Sequence, residues 1–206
     1  MIHLKTTFFE LLEKHSDDPA LKQELWNEIV ENYSHKKRHY HNLSHLENLI
    51  QQLSGLKEMI SDWEMVLFSV FYHDIVYNTT SQENEEKSAL FAEARMEKLK
   101  IAKEEIEKCK AAILATKSHE VSSDKDINLF TDADLSILGA KWEEYSNYAK
   151  QIRKEYSIYP ALIYNPGRKK VLHHFLHMQN IFKTPEFFDK YERQARENLK
   201  RELREL

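Results

Sequence analysis

Histidine and aspartate side chains that can bind a divalent metal ion occur at three separate places in the chain. His41 and His45 lie four residues apart, and two histidines at that spacing on a helix can direct both imidazoles to one point. His73 and Asp74 follow an apolar stretch, and Asp134 belongs to a later acidic pair. Imidazole and carboxylate ligands suit manganese, iron, cobalt, nickel, zinc or magnesium. Together these residues predict a metal site. Considered separately, each of the three motifs could instead have a surface or helix-capping role.

The pair His73–Asp74 carries more weight because of the segment before it. Residues 63–72 are apolar on nearly every side, a pattern typical of a helix in the centre of its domain. A carboxylate left unpaired beside such a helix would cost on the order of several kcal/mol. A bound cation would compensate the histidine and the carboxylate together. Hydrogen bonds from nearby backbone to Asp74 are the alternative.

The rest of the sequence favours helices as the elements that position these residues. With only 3 glycines and 4 prolines in 206 residues, a sandwich or barrel with many tight turns is disfavoured. Apolar residues recur at helical spacing along most of the chain, so we predict an all-α protein. Helices are predicted at 43–53 and 63–72, a loop between Pro160 and Gly167, and final helices at 168–182 and 185–206.

Composition and charge argue against several classes of protein. The net charge of −4 provides no basic field for a nucleic acid duplex, and no apolar run reaches the roughly 18 residues of a membrane span. The single cysteine, Cys109, is compatible with a reducing cytoplasm and is interpreted as a small helix residue. We therefore expect a cytoplasmic protein, a monomer or homodimer, that binds neither nucleic acid duplexes nor membranes.

The order of these motifs resembles a known family. A histidine, then His73–Asp74, then the segment Asp132–Gly139 (DADLSILG) resemble the HD-domain superfamily of metal-dependent phosphohydrolases over about residues 38–139. Three further stretches, NEEKSA at 84–89, IRKEY at 152–156 and ARENL at 195–199, resemble one bacterial branch of about this length. The resemblance implies a single-domain helical bundle over 1–206, with an HD-type core at about 38–140 and the terminal helices packed on it.

The resemblance also implies the metal ligands His45, His73, Asp74 and Asp134. The segment Tyr40–His45 is similar to the YHNxxH motif of cyclic-nucleotide phosphodiesterases, where the second histidine binds metal and the first protonates the leaving oxygen. Alignment to simpler HD domains would instead make His41 the ligand. We favour His45 as the ligand and His41 as the catalytic proton donor. The chain is shorter than the phosphodiesterases and lacks their base-reading glutamine, so cyclic-nucleotide specificity is not implied.

The implied reaction is hydrolysis of a phosphoester bond in a nucleotide or another small phosphorylated metabolite. Such a site needs cationic donors for phosphate, and three residues are candidates: Arg38, Lys117 and Arg153. Three others are candidates for a second metal or for the substrate: His119, Glu85 and Asp132. For each, a solvated side chain is the alternative, and Asp132 could instead begin a helix. We expect Lys117 and His119 to face the same cavity as His73.

Two other functions compete with hydrolysis. The first is a non-catalytic nucleotide-binding module, which the loss of a ligand would favour. The second is an oxygenase with two irons, as in some HD domains, for which His119 and Glu85 could supply part of the second site. A separate cluster, His173, His174 and His177, lies on an amphipathic segment and is interpreted as structural or surface residues.

Overall fold

The computed structural model describes residues 2–206, with only the backbone described for residue 2. Within this range the chain forms ten α-helices and two short 3-10 helices and contains no strand, which confirms the predicted all-α class. Across the same residues, no helix is both long enough and apolar enough to cross a membrane. The α-helices are α1 (Ile2–Glu13), α2 (Pro19–Tyr33), α3 (Leu43–Ser54), α4 (Trp63–Tyr72), α5 (Asn84–Lys98), α6 (Lys103–Ala115), α7 (Lys125–Leu135), α8 (Trp142–Glu155), α9 (Ala161–His177) and α10 (Pro185–Glu205), and the 3-10 helices are Lys57–Met59 and Ser136–Gly139.

Two compact units divide the chain, one ending at Thr131 and the other running from Asp132 to Leu206. The boundary falls inside α7. Each unit has its own buried core, which includes Phe68 and Phe71 in the first unit and Phe182 in the second. The single domain with an HD-type core at about 38–140 stays a prediction.

Helix α4 lies at the centre of the first unit, as its apolar sequence predicted. It packs against α1, α3, α5 and α6, and every residue from Met65 to Tyr72 is buried. Its start is fixed by Asp62, whose side chain accepts a hydrogen bond from the Met65 N–H at 3.0 Å. Asp126 accepts hydrogen bonds from the N–H groups of Ser61 and Asp62 at 3.0 and 2.8 Å. The helix is therefore anchored at its N-terminal end.

The one cysteine of the chain, Cys109, lies on α6, which packs against α4. Its side chain is fully buried, and the hydroxyl oxygen of Ser69 lies 3.6 Å from its sulfur. Burial raises the pKa of the Cys109 thiol to about 12, although the Ser69 hydrogen bond acts in the opposite direction. The thiol is therefore protonated near neutral pH and packs as a small apolar side chain.

The stretch 160–167 begins a helix, so the loop predicted there from its prolines is wrong. Helix α9 starts at Ala161 and continues through Pro166. Proline cannot donate to the carbonyl four residues earlier, that of Leu162, but Leu162 is 89% exposed, which leaves this carbonyl open to water. The residues that hold the helix in place are buried at four-residue spacing: Tyr164, Arg168 and Leu172. Their packing outweighs the local turn preference.

A buried network of three polar side chains joins α8, α9 and α10 in the second unit. The Arg168 guanidinium donates hydrogen bonds from Nε and Nη2 to the two carboxylate oxygens of Glu202, at 2.7 and 2.9 Å. The hydroxyl of Tyr145 donates to the same carboxylate. Burial opposes the charge on Arg168, but the neighbouring Tyr148 and Glu202 raise its pKa well above the usual range. The guanidinium is therefore charged and paired inside the core.

Gly139 permits a close approach of the segment after α7 to α10 in the second unit. A Cβ atom there would lie 2.5–2.8 Å from the Cβ, O and Cα atoms of Tyr191 on α10. We expect Gly139→Ala to lower the free energy of unfolding by about 3 kcal/mol, because the backbone must move to admit the methyl group. A Cβ at Gly167 would meet no atom within 4 Å, so Gly167→Ala is the matched control, with an expected gain of about 0.5–1 kcal/mol. Urea denaturation followed by circular dichroism measures both, and equal stabilities would contradict the steric argument.

Candidate metal centre

His45 lies in the first turn of α3, and Asn42 fixes the start of that helix. The Asn42 side chain accepts a hydrogen bond from the Ser44 N–H at 2.9 Å and forms the N-cap. His41 precedes this cap, so His41 and His45 do not share a helical face, as the spacing had suggested for two helical residues. Their rings are nevertheless close, with centroids 5.8 Å apart. The turn before α3 therefore brings the two imidazoles together.

Three side chains from two parts of the first unit converge at the end of α4. The Nε2 atom of His45 lies 3.2 Å from the Nε2 atom of His73. The Oδ2 atom of Asp74 lies 3.2 Å from the same His73 nitrogen and 4.0 Å from that of His45. One ligand atom from each residue falls within 4.8 Å of the others, so His45, His73 and Asp74 could hold a metal ion. They form the only such group among residues 2–206.

The tautomer of His73 supports a cation at this point. Its Nδ1 atom lies 3.0 Å from the carbonyl oxygen of Val70. A carbonyl can only accept, so Nδ1 carries the proton and the Nε2 lone pair of a neutral ring faces His45 and Asp74. A ligating histidine that donates its other ring N–H to a carbonyl is a recurrent arrangement in metal sites. The Nε2 atoms of His45 and His73 and the Oδ2 atom of Asp74 face one another, and a cation bound between them would be attracted by all three.

The Asp74 carboxyl is held in its charged form. Burial opposes the charge, but His73, His41 and His45 in their protonated forms lower the pKa of this carboxyl far below its usual range, and a cation bound in place of those protons would act in the same direction. The Asp74 N–H donates to the buried hydroxyl of Tyr33 at 3.2 Å. Asp74 is therefore an anionic candidate ligand whose backbone is fixed by the last residue of α2.

His41 stands beside this group rather than within it. Its Nε2 atom lies 4.0 Å from Oδ2 of Asp74, and its side chain is 19% exposed. The ring packs against Tyr77, with centroids 4.3 Å apart, and edge-on against Tyr40, at 5.1 Å. Of the two histidines weighed from the sequence, His45 belongs to the group that could hold an ion. His41 is more exposed and so is better placed to meet a substrate; its role as proton donor stays a prediction.

Arg38 holds together the two chain segments that carry the candidate ligands. Its guanidinium donates to the carbonyl oxygens of His41, Asp74 and Ile75, at 3.1, 2.6 and 2.9 Å. The same group lies over the Tyr33 ring, 4.8 Å from its centroid. Arg38 was predicted to bind phosphate, and that role stays a prediction. The contacts show that it positions the backbone on either side of the site.

We expect Arg38→Lys to weaken metal binding by about 10–100-fold, as loss of a positioning contact typically does. Lysine keeps the charge, but a single ammonium cannot reproduce the planar fork that reaches three carbonyls. Calorimetric titration of the metal-free protein with Zn²⁺ measures the effect, and Lys37→Gln, at an exposed neighbour, is the control. Unchanged metal affinity in Arg38→Lys, with a raised KM for a phosphorylated substrate, would favour phosphate binding instead.

Tyr33 was missed in the sequence analysis. It is fully buried at the end of α2, where it follows Trp26 and Ile29 on the inner face of the helix. That helical spacing was a usable signal, because a buried tyrosine hydroxyl normally needs a hydrogen-bond partner. The identity of the partner, the Asp74 N–H, could not be derived, since 41 residues separate the two.

Of the other candidate residues in the first unit, Lys117 is held by two contacts near the start of α5. Its ammonium donates to the Gln82 carbonyl at 2.8 Å and forms an ion pair with Glu86 at the start of α5. Glu85 lies in the same first turn of α5 and is half-buried. His119 is also half-buried and adopts a left-handed backbone conformation, with a φ of 54°. The phosphate, substrate and second-metal roles of these residues stay predictions.

In the second unit, the side chain of Asp132 accepts hydrogen bonds that hold two segments of the chain together. It lies inside α7 rather than at a helix start, where it had been considered. Its buried carboxylate accepts hydrogen bonds from the N–H groups of Lys183 and Thr184, the Lys183 ammonium and the Thr184 hydroxyl. Burial lowers the pKa of Lys183, although Asp132 acts against this. Both Asp132 oxygens thus fix the entry to α10, and a metal role for it stays a prediction.

Asp134 and Arg153 complete the predicted set. Asp134 lies in the last turn of α7 and is half-buried; its role as a metal ligand stays a prediction. Arg153 donates to the carbonyl oxygens of Tyr156 and Tyr159, both at 3.0 Å, just beyond the end of α8. It therefore stabilises the turn between α8 and α9. A phosphate contact by Arg153 stays a prediction.

The case for a metal centre rests on the geometry of His45, His73 and Asp74. Comparisons of the chain with protein-family models, with curated proteins and with solved structures find no match. The ligand types, their convergence from separate segments and the fixed tautomer of His73 all favour a divalent cation. The chain is thus an all-α protein with a candidate two-histidine, one-carboxylate metal centre.

Proposed function

We propose that the protein is a metal-dependent phosphohydrolase of the HD-domain type. The observation that carries the proposal is the convergence of His45, His73 and Asp74 within 4.8 Å. His45 and His73, 28 positions apart in the chain, meet with their Nε2 atoms 3.2 Å apart. The resemblance of the motif series to HD domains supplies the reaction class, and the geometry is compatible with it.

His45, His73 and Asp74 would hold the ion, which is manganese, iron, cobalt, nickel, zinc or magnesium. When bound, such an ion supplies a nucleophilic hydroxide near neutral pH and offsets negative charge on phosphoryl oxygens. Three protein ligands leave positions free for water and a phosphate oxygen. The partial exposure of Asp74 (19%) provides an approach from solvent.

His41 would protonate the leaving oxygen through its Nε2 atom as the phosphorus–oxygen bond breaks. Imidazole titrates ordinarily near neutral pH and suits this task. Tyr77 and Tyr40 hold its ring in place. Packing of this kind lets His41 meet the substrate without occupying a ligand position.

The substrate we propose is a nucleotide or another small phosphorylated metabolite. The net charge of −4 argues against a nucleic acid duplex as the partner. Arg38, Lys117 and Arg153 stay the candidate phosphate-binding residues. A cytoplasmic location is part of the proposal and is supported by the single buried thiol, which suits a reducing compartment.

The test is phosphate release from a panel of nucleotides and sugar phosphates. Protein stripped with a chelator is assayed before and after addition of each metal. We expect release only with metal. If the protein binds nucleotides but releases no phosphate with any of the metals, the proposal is overturned in favour of a non-catalytic nucleotide-binding module. Oxygen uptake by the iron-loaded protein would overturn it in favour of an oxygenase.

We expect His41→Gln to retain the metal and to lose about 10²–10⁴-fold in kcat, the usual contribution of a general acid. Metal content is measured on the same sample. His39→Gln, at the half-buried histidine two residues earlier, is the control. If His41→Gln loses the metal and His45→Gln keeps it, the two histidines have exchanged roles.

A further inference from the structure

Two histidines of the second unit stand one helical turn apart on the surface of α9. His173 and His177 are both exposed, in the last two turns of the helix. Their ring centroids are 5.9 Å apart. From the sequence these histidines were interpreted as structural or surface residues, and the structure places both on the surface, where a ligand can reach them.

A hydrogen bond fixes the tautomer of His177. Its Nδ1 atom lies 2.6 Å from the carbonyl oxygen of His173. Because a carbonyl can only accept, Nδ1 carries the proton and Nε2 of the neutral ring keeps its lone pair. His73 uses the same Nδ1–H to carbonyl contact in the first unit. In His177 this contact orients the ring and leaves the unprotonated Nε2 atom as the one that can bind a metal ion.

The distance between the rings suits a chelate. Two imidazoles on one tetrahedral ion, with metal–nitrogen bonds of about 2.0–2.1 Å, have centroids about 5 Å apart. The observed 5.9 Å is close to this value, and exposed side chains can close the difference by small rotations. The pair also lies at the C-terminal end of a 17-residue helix, where the helix dipole favours a cation.

We propose that His173 and His177 form a solvent-exposed site for a divalent transition-metal ion such as Zn²⁺, Ni²⁺ or Cu²⁺, with water in the remaining positions. Imidazole is a good ligand for all three ions. Lys169 and Lys170 lie one turn earlier on the same helix. Their positive charges repel a bound cation and lower the affinity of the site for it, an effect that added salt screens. The site is independent of the proposed hydrolase activity and of the centre at His45, His73 and Asp74.

The test is titration of the metal-free protein with Zn²⁺, followed by calorimetry and native mass spectrometry. All variants carry Asp74→Ala, which is expected to remove the buried centre. We expect one Zn²⁺ equivalent whose affinity falls at least roughly tenfold in His173→Gln and in His177→Gln, since each loses one of two linked ligands. His174→Gln, exposed on another face of the same turn, is the matched control and keeps the full affinity.

Electron paramagnetic resonance of the Cu²⁺-loaded protein gives a second readout. We expect hyperfine coupling to two imidazole nitrogens in the Asp74→Ala background and to one in His177→Gln. Equal Zn²⁺ affinity in the parent and both histidine variants would overturn the site. So would an equal loss in His174→Gln, because binding would then follow the number of histidines rather than their spacing.

Discussion

Asp74→Ala is expected to abolish metal binding at the buried centre and to lower phosphate release by at least about 10³-fold. Asp74 is the one anionic ligand of the group, and its Oδ2 atom lies 3.2 and 4.0 Å from the two histidine nitrogens. Without it, two neutral imidazoles would hold a hydrated cation weakly. Metal content by mass spectrometry and phosphate release on the same sample measure the two effects together.

Helix content separates this loss from unfolding. Asp74 lies after the end of α4 and its side chain is 19% exposed, so circular dichroism is expected to stay unchanged. Asp17→Ala, at an exposed aspartate before α2, is the control and should keep metal and turnover. An Asp74→Ala protein that keeps the full metal content of the parent protein and still releases phosphate would rule out the centre as the active site.

Glu202→Gln is expected to lower the free energy of unfolding by about 3–5 kcal/mol, because it leaves the buried Arg168 guanidinium without its counter-charge. For a chain of this length the midpoint of thermal unfolding should fall by roughly 6–20 °C. The matched control is Glu205→Gln on the same helix, which breaks an exposed pair with Arg201 at 3.2 Å. Such a pair contributes about 0–1 kcal/mol.

A double replacement distinguishes a lost charge pair from lost packing. Replacing Arg168 and Glu202 together by Met and Leu removes both charges from the core and leaves neither unpaired. We expect this variant to be more stable than Glu202→Leu alone in urea denaturation, and with Arg168→Met as the second single variant the coupling free energy should be about 1–3 kcal/mol. A double variant less stable than either single one would show that packing of the two stems outweighs their charge.

The sequence predicted well those elements whose own residues decide their structure. Residues 63–72 are apolar on nearly every side, a pattern that predicts a central helix, and Met65 to Tyr72 of this helix are all buried. The prediction was wrong at residues 160–167, where the local sequence favours a turn. The contacts that stabilise a helix there come from α8 and α10. Arg168 finds its partner, Glu202, 34 residues away, and no local pattern contains that information.

The candidate site also has one part that could be predicted from the sequence and another that could not. The residue types and the order of His45, His73 and Asp74 could be read from the sequence because each motif is local. The contacts that position them could not: Arg38 reaches Asp74 and Ile75 across 36 and 37 residues. Asp132 shows the same limit, since its hydrogen bonds to the backbone of Lys183 and Thr184, 51 and 52 residues away, could not be derived from the local acidic motif.

Because the thiol of Cys109 is buried, the native chain should not react with the thiol reagents used for site-directed labelling. Maleimides and nitroxide reagents react with accessible thiolates, and this sulfur is neither accessible nor ionised near neutral pH. A cysteine introduced at an exposed position such as Ser44, beside the candidate centre, would therefore be the one reactive thiol. A spin label or fluorophore there would report local motion at the candidate centre without any need to remove the natural cysteine.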